Sequence, residues 1–236
     1  IRIKSLGGEL ARRALRTLDL HLTALVESNG PTLPRGYAVT LPKVTRAVEV
    51  DVLEKALDAP ESKLGIAAGS IALEVMVESP RLLASGAEGS VLEEIARKGG
   101  RRLRSFHFGA YDYTAELNVS ASDQRLSHPM CDAARNAMQI VGAIYGVGIS
   151  DGATTTMPIA PHRDEVLSEA QVAENRATVH HAWRAHAADV LRSLSFGIYQ
   201  GWDLHPAQIP TRYGALYTFF LRNLPTAAKR LSHFIE

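Results

Sequence analysis

Two acidic residues hold most of the chemical information in this sequence. Glu78 closes the apolar run IALEVMVE, and Asp112 follows the run LRSFHFG within the segment FGAYDYTAEL. If both runs are neighbouring parallel strands, roughly 4.8 Å apart, their C-terminal ends place two carboxylates close enough to share one hard divalent cation. The chemistry this points to is metal-assisted, with Mg²⁺ expected and Mn²⁺ as a substitute.

Composition narrows the classes. The chain has 236 residues with 46% hydrophobic content, enough for one large α/β domain with an ordinary globular core. Its 26 basic and 25 acidic residues leave a formal charge of +1, so no global field argues for nucleic acid or an acidic membrane. A small-molecule ligand is the default. The single cysteine, Cys131, excludes an intramolecular disulfide and suits a reducing compartment. No apolar run approaches the ~20 residues of a membrane span, and a cytoplasmic location is expected. The chain opens without a methionine on IRIK, a strand-like stretch already in progress, from which an earlier natural start is expected.

Short β-like runs alternate with longer helical patterns, the mark of βα units around a parallel sheet. Six strands are read: IRIK, YAVTLPKV, IALEVMVE, LRSFHFG, GVGIS and FGIYQGWDL. The spacing of Leu15, Leu18, Leu22 and Leu25 predicts a helix from about Glu9 to Glu27, ended by Asn29, Gly30 and Pro31. Further helices are predicted over TRAVEVDVLEKALD, over SPRLLASGAEGSVLEEIARKGG with glycines weakening its middle, and over HPMCDAARNAMQIVGAIYG. A long amphipathic helix from about Glu165 to Leu194 and a last one containing ALYTFFLRNL follow. A closed barrel of this kind needs eight strands; six are legible.

Several of these strings, in this order, resemble the citrate lyase β-subunit and hydroxy-dicarboxylate aldolase superfamily, which includes malyl-CoA lyases. IRIK looks like the family's strand bearing a substrate-binding arginine, LPKV like its next strand, LEVMVES like the strand ending in a metal-binding glutamate, and FGAYDYTAEL like the turn bearing the metal-binding aspartate. CDAARNAMQIVGAIYGVGISDGA and GWDLHPAQIP are similar to the last helix–strand units. The resemblance implies a (β/α)8 TIM barrel lacking its first two βα units, residues 1–236 forming a single partial domain of strands three to eight with a C-terminal helix. It also implies Glu78 and Asp112 as metal ligands and Arg2 as the catalytic, substrate-binding arginine, whose planar fork suits a carboxylate or an enolate oxygen. The implied activity is Mg²⁺-dependent carbon–carbon lyase or aldolase chemistry next to a 2-oxo acid or acyl-CoA, through a metal-stabilised enolate. Family relatives are commonly oligomeric, and a homo-oligomer is expected, with the apolar surface near Trp183 available for packing.

Other residues admit two readings. Lys43 in LPKV either projects to bind substrate or covers a strand end. Gly109 either lets the backbone approach a ligand or forms a tight turn. Asp151 in SDGAT either contacts metal-bound water or caps its loop. His107 reads by parity as an interior hydrogen-bonded residue, His205 as structural, and His180, His181 and His186 as a solvated helix face. No general acid or base is identified. The alternative to an enzyme is a noncatalytic barrel that binds a carboxylate metabolite or serves as a scaffold.

Overall fold

The computed structural model describes residues 1–87 and 89–235, and the chain divides into two compact units, Ile1–Ser150 and Asp151–Glu236. In the first, α1 (Leu10–Asn29) precedes β1 (Ala38–Leu41), α2 (Ala47–Leu64) and β2 (Ala72–Val77). A hairpin of two-residue strands, β3 (Ser85–Gly86) and β4 (Gly89–Ser90), leads to α3 (Val91–Lys98), β5 (Leu103–Phe108), α4 (Ala110–Glu116), α5 (Pro129–Tyr145) and β6 (Gly148–Ala153), whose last three residues already belong to the second unit. The second unit adds α6 (Glu169–Ser195), β7 (Gln200–Trp202) and α7 (Ile209–Ile235). The principal sheet has the order β1-β2-β5-β6-β7, and the β1/β2, β2/β5 and β5/β6 pairings are parallel. Each new strand lies beside the last, as successive βα units require. The α/β organisation is the expected one. IRIK is present as a parallel bridge, Arg2 to Thr40, held by Thr40 N–H on the Ile1 carbonyl at 2.8 Å and Ile3 N–H on the Thr40 carbonyl at 3.3 Å.

Strand parity explains where the core sits. Val39, Leu41, Leu73, Val75, Val77, Phe106 and Phe108 are buried with Leu53, Leu57, Ile95 and Met138 of the helices. Each such side chain contributes about 1.5–3 kcal/mol by leaving water. Alternate positions fall on the opposite face of the sheet, and there the strands carry polar groups: Thr40, Glu74, Glu78, Ser105 and His107.

Below the strands, a buried ion cluster ties α2 to β5. Arg102 meets Glu61 bidentately at 2.6 and 2.7 Å and Asp58 at 2.7 Å, while Glu61 also accepts the Gly69 and Ile71 amides. Burial would raise the Glu61 carboxyl, but the Arg102 guanidinium and the two amides hold it below its ordinary value.

Three expectations change. The single helix expected over residues 79–100 is a hairpin followed by the short α3. Gly89 sits at φ 95°, and Ser90 then starts the helix with a capping box in which Ser90 and Glu93 satisfy each other's amides. The glycine-led turn expected to bear Asp112 is the start of a short helix, α4, with Asp112 in its first turn. His186 is not on a solvated face. It is 1% exposed, bonded through Nε2 to Asp203 at 2.9 Å, and Arg212 donates to the other Asp203 oxygen at 2.7 Å.

Candidate functional site

Strand register brings the two predicted carboxylates together. Val77 pairs with Phe108, so β2 and β5 end at one level, Glu78 following the first and Gly109 the second. The Gly109 amide continues the ladder onto the Val77 carbonyl at 2.9 Å. At Gly109 the chain turns into α4, and Asp112 in its first turn comes back over the end of β2. One residue bridges the two carboxyl groups: the Lys43 amide donates to Glu78 and the Lys43 ammonium reaches Asp112.

Gly109 is needed here for space, not for its backbone angles, which are φ −101° and ψ 73°. A Cβ at this position would meet the Glu78 side chain, at 3.3 Å from both Cβ and Cδ and closer than 3.0 Å to Cγ. The group that approaches Gly109 is therefore the Glu78 side chain.

Two cations hold the pair. Arg2 Nη2 lies 3.1 Å from Glu78 Oε1, and the Lys43 amide donates to Glu78 Oε2 at 2.6 Å. The Lys43 ammonium reaches Asp112 Oδ2 at 2.5 Å. Glu78 is 4% exposed as a side chain, whereas Asp112 and Lys43 are each 50% exposed and Arg2 44%. This asymmetry sets the protonation order. Burial pushes the Glu78 carboxyl above its ordinary range, reinforced by the neighbouring Asp112 carboxyl and opposed by the Lys43 amide and the Arg2 and Lys43 charges. Burial also acts on Asp112, but the Lys43 ammonium outweighs it and keeps that carboxyl below its ordinary range. Asp112 is the ionised member, and Glu78 ionises last.

The donor set suits a hard cation. Two carboxylates beyond adjacent strand ends, both in contact with the one residue Lys43, can share a divalent ion. Mg²⁺ commonly takes one or two protein carboxylates and fills its other positions with water and substrate oxygens. Among the described residues no group of three or more His, Cys, Asp or Glu side chains forms a fuller cage. A cavity of about 180 Å³, lined by Lys43, Thr45, Glu78, Ser79, Asp112 and Glu116, opens on the Asp112 side. A second of about 410 Å³, lined by Arg2, Lys4, Ser5, Thr17 and Lys43 among others, opens on the Arg2 side.

The remaining candidates have partners of their own. Asp151 belongs to the second unit, where its carboxylate accepts the Gly152 amide at 2.8 Å and the Ser193 hydroxyl at 2.5 Å. His205 caps the turn of residues 206–208 by accepting the Ala207 amide at 3.1 Å. His107 is interior, 2.8 Å from Ser105 Oγ and 3.3 Å from Glu74. Sequence reasoning missed the network this histidine belongs to. Glu74 accepts from Thr40 Oγ1 at 2.8 Å and lies among Ser105 and His107, and its pKa is pulled down to about 2, chiefly by the hydrogen bond to His107 against the cost of burial. The signal was present in the parity of 74 with 78 and of 105 and 107 with 109. Lys43 was also underread, for it adopts φ 56°, a left-handed backbone unusual for a side chain of its kind.

The parallel α/β fold is shared by solved structures similar to the chain. A citrate lyase from Burkholderia xenovorans LB400 aligns over 91% of this chain and 56% of its own, at 21% identity and a TM-score of 0.64. Haloferax volcanii malate synthase aligns over 89% and 52%, at 14% identity and 0.63. The citrate lyase β-subunit of M. tuberculosis, solved with oxaloacetate and magnesium, aligns over 91% and 70%, at 18% identity and 0.55. The chain shares its fold with these proteins and spans little more than half the length of the first of them. No curated protein matches it in sequence. The chain belongs to the family described as a domain of unknown function, DUF6986, whose model matches residues 1–236. No helix among the described residues is long and apolar enough to cross a membrane.

Proposed function

We propose that the protein is a lyase or aldolase that makes or breaks a carbon–carbon bond next to a 2-oxo acid or acyl-CoA, with Mg²⁺ held by Glu78 and Asp112. The observation that carries this is the convergence of the two carboxyl groups beyond the ends of β2 and β5, both held by Lys43, with Arg2 on the same glutamate. The M. tuberculosis protein of like fold, solved with oxaloacetate and magnesium, supports the choice of ion and substrate class.

The bound cation supplies Lewis-acid stabilisation of negative charge developing on a substrate oxygen. The chain's residues do the rest. Glu78, locked by Arg2 and the Lys43 amide, keeps its carboxylate fixed at the sheet end. Asp112, ionised and half exposed, completes the pair from α4. Arg2 has guanidinium nitrogens beyond the one on Glu78 and lines the larger cavity, and its planar fork suits a substrate carboxylate. Lys4 and Lys43 add positive charge to the same cavity.

Calorimetric titration of Mg²⁺ with and without pyruvate or oxaloacetate tests the reading. Wild type is expected to bind the ion more tightly when the oxo acid is present, and Glu78→Gln and Asp112→Asn are each expected to abolish the binding. Equal binding by all three proteins, or binding by none, would refute the metal site and favour a noncatalytic barrel.

A further inference from the structure

Lys43 touches both members of the carboxylate pair through different atoms. Its amide holds Glu78 at 2.6 Å and its ammonium holds Asp112 at 2.5 Å. Lys43 and Asn118 are the two non-glycine residues with positive φ among the described residues. A left-handed lysine persists when its surroundings over-determine it, and here the short bond from its amide to the buried Glu78 does so. The backbone is thereby fixed while the side chain, 50% exposed, keeps a flexible four-carbon stem. Lys43 also lines both cavities, the one at Asp112 and the one at Arg2 and Lys4.

A lysine ammonium and a divalent cation cannot both sit on Asp112 Oδ2, because like charges at contact distance repel and the oxygen's lone pairs are limited. We propose that Lys43 is an internal counter-ion that exchanges places with the metal. Its ammonium rests on Asp112 until a divalent ion binds there, then turns on its fixed backbone into the cavity of Arg2 and Lys4. There it adds a positive charge for the carboxylate of an oxo-acid substrate. Loading the ion thus prepares the anion site, and by linkage the anion strengthens the ion's binding by the same factor. This rests on the metal-site reading above and assigns that site an order of assembly.

The test is Mn²⁺ binding, followed by electron paramagnetic resonance of the free ion, with and without pyruvate. The proteins are wild type, Lys43→Met, Lys43→Gly and Glu78→Gln. The glycine variant accepts φ 56° without strain, so it guards against a methionine variant that fails to fold. Removing the competing ammonium is expected to tighten Mn²⁺ binding about tenfold in the absence of pyruvate, equivalent to about 1.4 kcal/mol, and to shrink the factor by which pyruvate strengthens it. Mn²⁺ binding that is unchanged or weaker in both Lys43 variants, yet still lost in Glu78→Gln, overturns the exchange and leaves the metal site standing. No Mn²⁺ binding by wild type or either Lys43 variant overturns both.

Discussion

Gly109→Ala separates the geometry of the site from its electrostatics, because it adds one methyl group and no charge. The backbone at this position lies at φ −101°, which any residue adopts, so the only penalty is spatial. The new Cβ would lie 3.3 Å from Glu78 Cβ and Cδ and closer than 3.0 Å to Cγ, whereas nonbonded carbons prefer about 3.5–4.0 Å. Glu78 must move by at least about half an ångström, or β2 and β5 must part. Overpacking of this kind costs about 1–3 kcal/mol, read as a lower urea midpoint. The effect on the site is larger than the effect on the fold. Metal ligands must sit within about 0.2 Å of their ideal distances, and Glu78 would also strain its 2.6 Å bond to the Lys43 amide. A loss of at least about tenfold in Mg²⁺ affinity is expected, measured by calorimetry on protein that is still folded at the temperature used. Wild-type stability together with wild-type Mg²⁺ affinity in Gly109→Ala would refute the packing argument and the role of Glu78 together.

The buried cluster below the strands predicts a stability effect without a site effect. Arg102→Met leaves Glu61 buried without its guanidinium partner and is expected to cost about 3–5 kcal/mol; a loss under about 1 kcal/mol in urea unfolding would contradict the assignment. Glu74 predicts a pH dependence. Its folded-state pKa of about 2 lies below its ordinary value of 4.5, so the folded state releases the proton more readily and its contribution is fully present above pH 4.5. That contribution, on the order of 3 kcal/mol, is lost as pH falls from 4.5 towards 2. In acid unfolding followed by circular dichroism, Glu74→Gln is expected to flatten the curve across this window, and an unchanged curve would remove Glu74 from the account.

How much was legible in the sequence follows from which interactions are local. Ala14, Leu18 and Leu22, spaced by four, are the residues that α1 buries, and the alternation of short apolar runs with helical patterns is the sheet order observed. Glu78 and Asp112 were recognisable because each ends or follows an apolar run, and a carboxylate there lies at the end of a strand. The same parity held a second message in Glu74, Ser105 and His107 that was read only for the histidine. His186 defeated sequence reasoning because its burial depends on Asp203 and Arg212, residues brought to it by chain reversal rather than by spacing along α6. The hairpin at 85–90 escaped because its glycines read equally as a weakened helix, and the choice between the two rests on the cap that Ser90 and Glu93 form.

The sequence by itself determined the run of βα elements, the place of Glu78 at the end of one apolar strand and that of Asp112 just beyond the next, since these follow from period, parity and residue type. The tertiary structure alone decided that Glu78 is the buried, last-ionising member of the pair, that Lys43 touches both carboxylates from a left-handed backbone, and that Gly109 makes room for a side chain. Those facts depend on the register between β2 and β5 and on the turn into α4, which are set by packing among residues distant in the chain.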